Sequence, residues 1–67
     1  MWRTRLAKLF ATTLQDEEQF YLTDLVDLVN KGLSDDQQFG GAEATQACQA
    51  MSNDEELMLS DGIVYKI

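Results

Sequence analysis

The chain has 67 residues and carries twelve acidic against five basic side chains, a formal net charge of −7 at pH 7. A charge of this sign repels the phosphate backbone of DNA and anionic membrane surfaces, and it favours a protein partner. A single domain of this length buries only about 60% of the surface that its unfolded chain exposes, so we expect modest stability.

The chain has a single cysteine, Cys48, and no histidine. An internal disulfide and a Cys/His zinc site are therefore excluded. No stretch approaches the ~18 consecutive apolar residues of a membrane span, and the first segment lacks the apolar core of a signal peptide. We expect a soluble protein of a reducing, intracellular compartment.

The first predicted element is helix one, over about residues 2–15. One face is apolar at helical spacing and comprises Trp2, Leu6, Leu9, Phe10 and Thr13. Three cations (Arg3, Arg5 and Lys8) crowd the end where the helix dipole is positive, and nothing ahead of Trp2 caps it. We therefore expect that the native helix begins upstream and that Met1 is an expression start.

Two further helices follow a very short strand predicted near residues 20–22. Helix two, over about 23–31, has Thr23 as its predicted N-cap and Lys31-Gly32 as its C-terminal signal. Residues 33–39 predict a polar loop anchored by Leu33 and Phe39. Helix three, over about 41–51, has a buried stripe of small residues with Met51 at its end, namely Ala44, Ala47, Cys48 and Met51.

A β-hairpin is predicted over about residues 56–67, because Asp61-Gly62 separates two apolar runs. A two-residue turn fixes the register, with Ser60 opposite Ile63, Leu59 opposite Val64, Met58 opposite Tyr65, and Leu57 opposite Lys66. One face then carries Met58, Ile63, Tyr65 and Ile67, and the other carries Leu57, Leu59 and Val64. One face must cover the helices; the other is overlaid by helix one or left open as a contact surface.

This order of elements predicts an α+β fold, a winged helix-turn-helix in one domain spanning residues 1–67. DNA readers of this fold place basic or amide side chains of the third helix in the major groove. Here Glu43 is the only charged residue from Gly41 to Met51. The hairpin over about residues 56–67 is the wing of this fold, and Lys66 is the only cation beside its Asp61-Gly62 turn. A winged-helix DNA-binding domain stays as the alternative function, with Arg3, Arg5 and Lys8 as its remaining cations.

No constellation in the sequence predicts an enzyme, a cofactor site or a metal site. Asp35-Asp36 and Asp54-Glu55-Glu56 lack the alternate spacing of a calcium loop. Cys48 lies on an apolar stripe without a histidine base, so we interpret it as a small core residue. Ser34 in "GLSDDQ" is a weak signal for a carrier protein, and the Asp-Gly hairpin argues against that reading.

The last third of the chain, "ATQACQAMSNDEELMLSDGIVYKI", resembles the C-terminal winged-helix domain of eukaryotic minichromosome maintenance (MCM) helicase subunits, most closely subunit three. The resemblance implies a domain that is tethered behind an AAA+ ATPase ring. It also implies that the parent chain contacts other MCM subunits. It implies docking of the hexamer on the origin recognition complex and the cell-division-cycle-six ATPase during replication licensing. It also implies a nuclear protein.

Our leading hypothesis is a non-catalytic docking module that binds protein through the hairpin and the C-terminal end. Candidate contact residues are Leu59, Asp61, Gly62, Val64, Lys66 and Ile67. A blander hypothesis is that the domain packs only against its parent hexamer.

Overall fold

The computed structural model describes residues 2–67, and the interpretation of Met1 lies outside that range. The described residues form three helices and three strands in the order α1 (Trp2–Ala11), β1 (Gln19–Tyr21), α2 (Leu22–Asn30), α3 (Gly41–Asn53), β2 (Leu57–Ser60) and β3 (Ile63–Lys66), with a 3₁₀ turn at Asp35–Gln37. Within residues 2–67, no helix is long and apolar enough to cross a membrane. The predicted α+β winged helix-turn-helix is confirmed.

Helix α1 ends at Ala11, so the prediction that it continues to about residue 15 is wrong. The N–H groups of Thr12 and Leu14 both donate to the carbonyl of Leu9, at 3.2 and 2.9 Å, and this closes a tight turn. The Thr12 hydroxyl also donates to the Lys8 carbonyl at 2.7 Å, a local bond that competes with a continuing helix. The turn buries Leu14 and leaves Thr13 exposed, which explains why the helical pattern misled us.

The arginines at the start of α1 have partners elsewhere in the fold. Arg3 forms ion pairs with Asp54 at 2.9 Å and with Glu56 at 3.0 Å, in the segment that joins α3 to β2. Arg5 donates to carbonyls at the end of α2, from Nε to Val29 at 2.9 Å and from its guanidinium nitrogen to Lys31 at 3.2 Å. These cations therefore complement the negative end of α2 and an acidic turn.

Helix α2 begins at Leu22, directly after β1. Its N-cap is Tyr21, so the prediction of Thr23 as the N-cap is wrong. The backbone N–H of Leu22 donates to the carbonyl of Gly62 at 2.9 Å, so the helix start is fixed by the wing. The predicted C-terminal signal is confirmed, since α2 ends at Asn30 and Gly32 has φ +85°.

The connection between α2 and α3 is closed by Asn30. Its side-chain amide donates to the Phe39 carbonyl at 2.9 Å, and its side-chain carbonyl accepts from the Phe39 N–H at 2.7 Å. The Phe39 ring in turn lies edge-on to the Trp2 indole, with ring centroids 5.4 Å apart. The polar loop between the two helices is therefore anchored at Phe39, as predicted. Leu33, the other predicted anchor, is not among the side chains of residues 2–67 that pack against the core.

The strands form one antiparallel sheet in the order β1-β3-β2, so the predicted two-stranded hairpin gains a third strand. All four predicted cross-strand pairs of the hairpin are confirmed. Asp61 and Gly62 have φ of 51° and 77°, the pair of positive values that a type I′ turn requires. The strand predicted near 20–22 is confirmed one residue earlier, where Phe20 pairs with Val64.

The core lies between the three helices and one face of the sheet. Helix α3 packs against α1, α2 and β2, and its small residues Ala44 and Cys48 are completely buried. Small side chains allow this close approach of helix and sheet. The core comprises Trp2, Leu6, Leu14, Phe20, Leu25, Val29, Ala44, Cys48, Met51, Leu57 and Val64.

Candidate functional site

The two faces of the sheet differ sharply in exposure. The inner face packs on the helices through Phe20, Leu57 and Val64, all of them buried. The register places Tyr21, Met58, Ile63 and Tyr65 together on the opposite side, and Ile67 follows in alternation. The polar residues Gln19 and Ser60 lie on the same side, on the two edge strands, and we call the five apolar and aromatic residues the outer sheet face. The exposed fractions of Tyr21, Met58 and Ile67 are 66%, 55% and 75%, so this face is an apolar and aromatic surface open to solvent.

Three of the six predicted contact residues lie on the inner face. Val64 has no exposed surface, and Leu59 packs against the core from the edge of the sheet. The Lys66 amine donates to the backbone carbonyls of Leu14 at 3.2 Å and Gln15 at 2.9 Å. These three side chains therefore help to hold the sheet on the rest of the fold. Val64 is inaccessible to a partner, whereas Leu59 and Lys66 are half-buried and their role in binding stays a prediction.

The other three predicted contact residues are accessible. Asp61 and Gly62 form the exposed tip of the wing, and Ile67 is the most exposed large apolar residue among those described. Their role in binding remains a prediction. The outer sheet face also includes Tyr21, Met58, Ile63 and Tyr65, which the sequence pattern did not indicate as contact residues.

A cleft adjoins the outer sheet face between β1 and α2. We call it the β1–α2 cleft, and its volume is about 370 Å³. Its lining combines an apolar floor with two acidic residues, and comprises Leu14, Glu17, Gln19, Phe20, Tyr21, Asp24, Leu25, Leu28 and Ile63. Tyr21 and Ile63 belong both to the cleft and to the outer sheet face, so the two surfaces are continuous.

The exposed side of α3, where a DNA-reading relative would carry its base contacts, is polar and lacks cations. Thr45, Gln46 and Gln49 are exposed there, and the Thr45 hydroxyl is already donating to the Gly41 carbonyl at 2.8 Å. The one charged side chain of α3, Glu43, accepts a hydrogen bond from the Gly40 N–H at 3.3 Å. Nothing on this helix can neutralise a phosphate.

Most of the five cations are engaged within the fold. Arg3, Arg5 and Lys66 make the contacts described above. Lys8 and Lys31 are exposed and border a shallow depression between α1 and α2. Of the three cations on α1 that the DNA-binding alternative would use, Arg3 and Arg5 are thus engaged within the fold. Among the described residues, Lys8 is the one of the three without such an ion pair or hydrogen bond.

The interior has little nucleophilic or metal-binding character. Cys48 is completely buried, and burial raises the pKa of its thiol, an effect that the Trp2 side chain opposes only in part. The Trp2 indole N–H makes no hydrogen bond that meets ordinary geometric limits within residues 2–67. In the same range, no three side chains of His, Cys, Asp or Glu are grouped to hold a metal ion.

The chain was compared with known protein families, curated proteins and solved structures. A family model described as "MCM3-like, winged helix domain" matches residues 1–67. The match spans the whole chain and agrees with the helix, strand and hairpin order found in the structure. Neither the curated proteins nor the solved structures gave a match.

Proposed function

Because this chain belongs to the MCM3-like winged helix domain family, we propose that it is a protein-docking domain of a nuclear replicative helicase subunit. Its partners are the origin recognition complex and the cell-division-cycle-six ATPase, on which it recruits the MCM hexamer during replication licensing. Contact with other MCM subunits runs through the parent chain. The domain itself is non-catalytic.

The outer sheet face is the observation that supports this function most. It carries two tyrosines, a methionine and two isoleucines, and three of these side chains are more than half exposed. Tyrosine and methionine are enriched in the centres of protein–protein interfaces. In a domain this small, a contiguous exposed apolar face favours a binding role over a stabilising one.

The charge distribution favours protein over DNA as the partner. Binding to DNA gains most of its free energy from cations that replace counterions on phosphates. Helix α3 has no cation, and Lys66 beside the wing is bonded to backbone carbonyls. A net charge of −7 instead complements a partner whose apolar contact patch has a basic rim.

A shift map tests this function. The ¹⁵N-labelled 67-residue domain is titrated with the cell-division-cycle-six ATPase, alone and within the origin recognition complex. We expect the largest amide shifts at Tyr21, Met58, Tyr65 and Ile67. Shifts confined to α3, or no shifts with either partner, would overturn the proposal.

A further inference from the structure

The β1–α2 cleft has an apolar floor, two acidic side chains and an open strand edge, all within reach of one peptide. Resting on the docking function above, we propose that the cleft binds an extended segment of the protein partner that bears an arginine beside an apolar residue. The apolar side chain fills the cleft, and the arginine binds Glu17 and Asp24.

The floor of the cleft suits an apolar side chain. Leu25 is completely buried beneath it, Leu14 and Phe20 are nearly so, and Leu28 is half-buried at its side. A volume of about 370 Å³ lies at the lower end of the range of ligand pockets, which suits one or two side chains and not a whole element. The occupant is therefore a short segment.

The edge of β1 suits an extended backbone. The backbone N–H of Lys66 donates to the Glu18 carbonyl at 2.7 Å, and the backbone N–H of Leu22 donates to the Gly62 carbonyl at 2.9 Å. These bonds lie just before and just after β1, on its side that faces β3. Bonding alternates along an antiparallel strand, so the N–H groups of Gln19 and Tyr21 point away from β3. They are available to a peptide added beside the cleft.

The two acids define the charge of the occupant. Glu17 and Asp24 are both exposed on the cleft, and neither makes an ion pair or a side-chain hydrogen bond within residues 2–67. The amine of Lys66, at the end of β3, donates to the carbonyl oxygens of Leu14 and Gln15 and not to these carboxylates. An arginine fork can bind carboxylates in a planar geometry, and its stem can lie over the exposed ring of Tyr21.

The probe for this site is the capped peptide acetyl-Leu-Arg-Leu-amide, with citrulline in place of arginine as the matched neutral peptide. Titration of the ¹⁵N-labelled domain is expected to shift the amides of Gln19, Tyr21 and Asp24. Replacing both acids (Glu17→Gln with Asp24→Asn) should weaken binding of the arginine peptide by roughly three- to tenfold, the range for two exposed ion pairs. The control Asp27→Asn, on α2 but outside the cleft lining, should bind normally.

Equal affinities for the arginine and citrulline peptides, or no binding of either, would overturn the inference. Asp24 lies in the first turn of α2, where an acidic residue stabilises the helix, so a thermal melt of each variant checks that it is folded. If the double variant is unfolded, the single variant Glu17→Gln replaces it in the titration. The docking function is read separately, from variants of Met58 and Ile67 that lie outside the cleft. If those variants lose the partner while the peptide fails, the cleft is wrong and the docking function stands.

Discussion

The Nε of Arg5 donates a 2.9 Å hydrogen bond to the backbone carbonyl of Val29, which joins the first turns of α1 to the last turn of α2. A charged donor at the negative end of a helix satisfies carbonyls that have no partner within the helix. Replacing Arg5 by methionine keeps most of the stem and removes the donors. We expect the free energy of unfolding in urea to fall by about 1–2 kcal/mol.

The matched control is Lys8→Met, which removes a cation from an exposed position of the same helix. It should change the free energy of unfolding by less than about 0.5 kcal/mol. Equal effects of the two substitutions would show that net charge matters here and that the bonds of Arg5 do not.

The assignment of the inner and outer sheet faces predicts opposite responses on facing sides of the wing. Val64→Ala removes completely buried carbons between two neighbouring strands and should destabilise the domain by about 2 kcal/mol. Met58→Ala, at a residue more than half exposed, should stay within about 0.5 kcal/mol. Urea unfolding measures both, and a larger effect at Met58 would mean that the wing packs by its other face.

Burial of Cys48 predicts a dependence of stability on alkaline pH. Because burial raises the pKa of this thiol in the folded state, the unfolded chain loses the proton first. The contribution of the buried, protonated thiol to the free energy of unfolding is fully present below the pKa of the unfolded chain. It is lost as the pH rises through the higher pKa of the folded state. The difference in unfolding free energy between the unaltered chain and Cys48→Ala should therefore shrink between about pH 7 and about pH 10.

Modification of the thiol gives an independent check of its burial. A water-soluble disulfide reagent should react with native Cys48 far more slowly than with the urea-unfolded chain. Rapid reaction of the native protein, together with a stability difference that does not change with pH, would contradict the buried position.

The charge distribution predicts a negative result with DNA. In a gel-shift titration on duplex DNA at low salt, the domain should show no binding at micromolar concentration, because α3 has no cation. A matched gain-of-charge variant, Gln46→Lys with Gln49→Lys, should bind with a measurable salt dependence. Salt-sensitive binding by the unaltered domain would favour the DNA-binding alternative.

The pairing of the hairpin strands could be predicted from the sequence, but the buried face of the hairpin could not. Asp61-Gly62 requires a two-residue turn, so the pairing of β2 with β3 followed from the spacing alone. The choice of the buried face did not follow, because both faces are apolar. It is decided by β1, which places Phe20 beside Val64 on the inner side, a long-range pairing that local patterns do not reveal.

Helix α1 and its arginines show the same limit. The spacing of Leu6 and Leu9 indicated the helix correctly, while its end depends on Leu14 turning back into the core. Arg3 and Arg5 looked misplaced in the sequence because their partners lie between 24 and 53 residues away. Tertiary contacts of this kind also bury Val64 and engage the amine of Lys66, two of the predicted contact residues.

The most direct test of the docking function compares two surfaces of one domain. The double variant Met58→Thr with Ile67→Thr makes the outer sheet face more polar at exposed positions and keeps residues suited to a strand. The double variant Gln46→Ala with Gln49→Ala changes exposed α3 positions instead.

Affinity for the origin recognition complex bearing the cell-division-cycle-six ATPase is measured for each double variant. We predict at least a roughly tenfold loss for the sheet variant and no change for the α3 variant, since interface centres carry most of the binding energy. Unchanged affinity of the sheet variant, with loss in the α3 variant, would contradict the proposed docking surface.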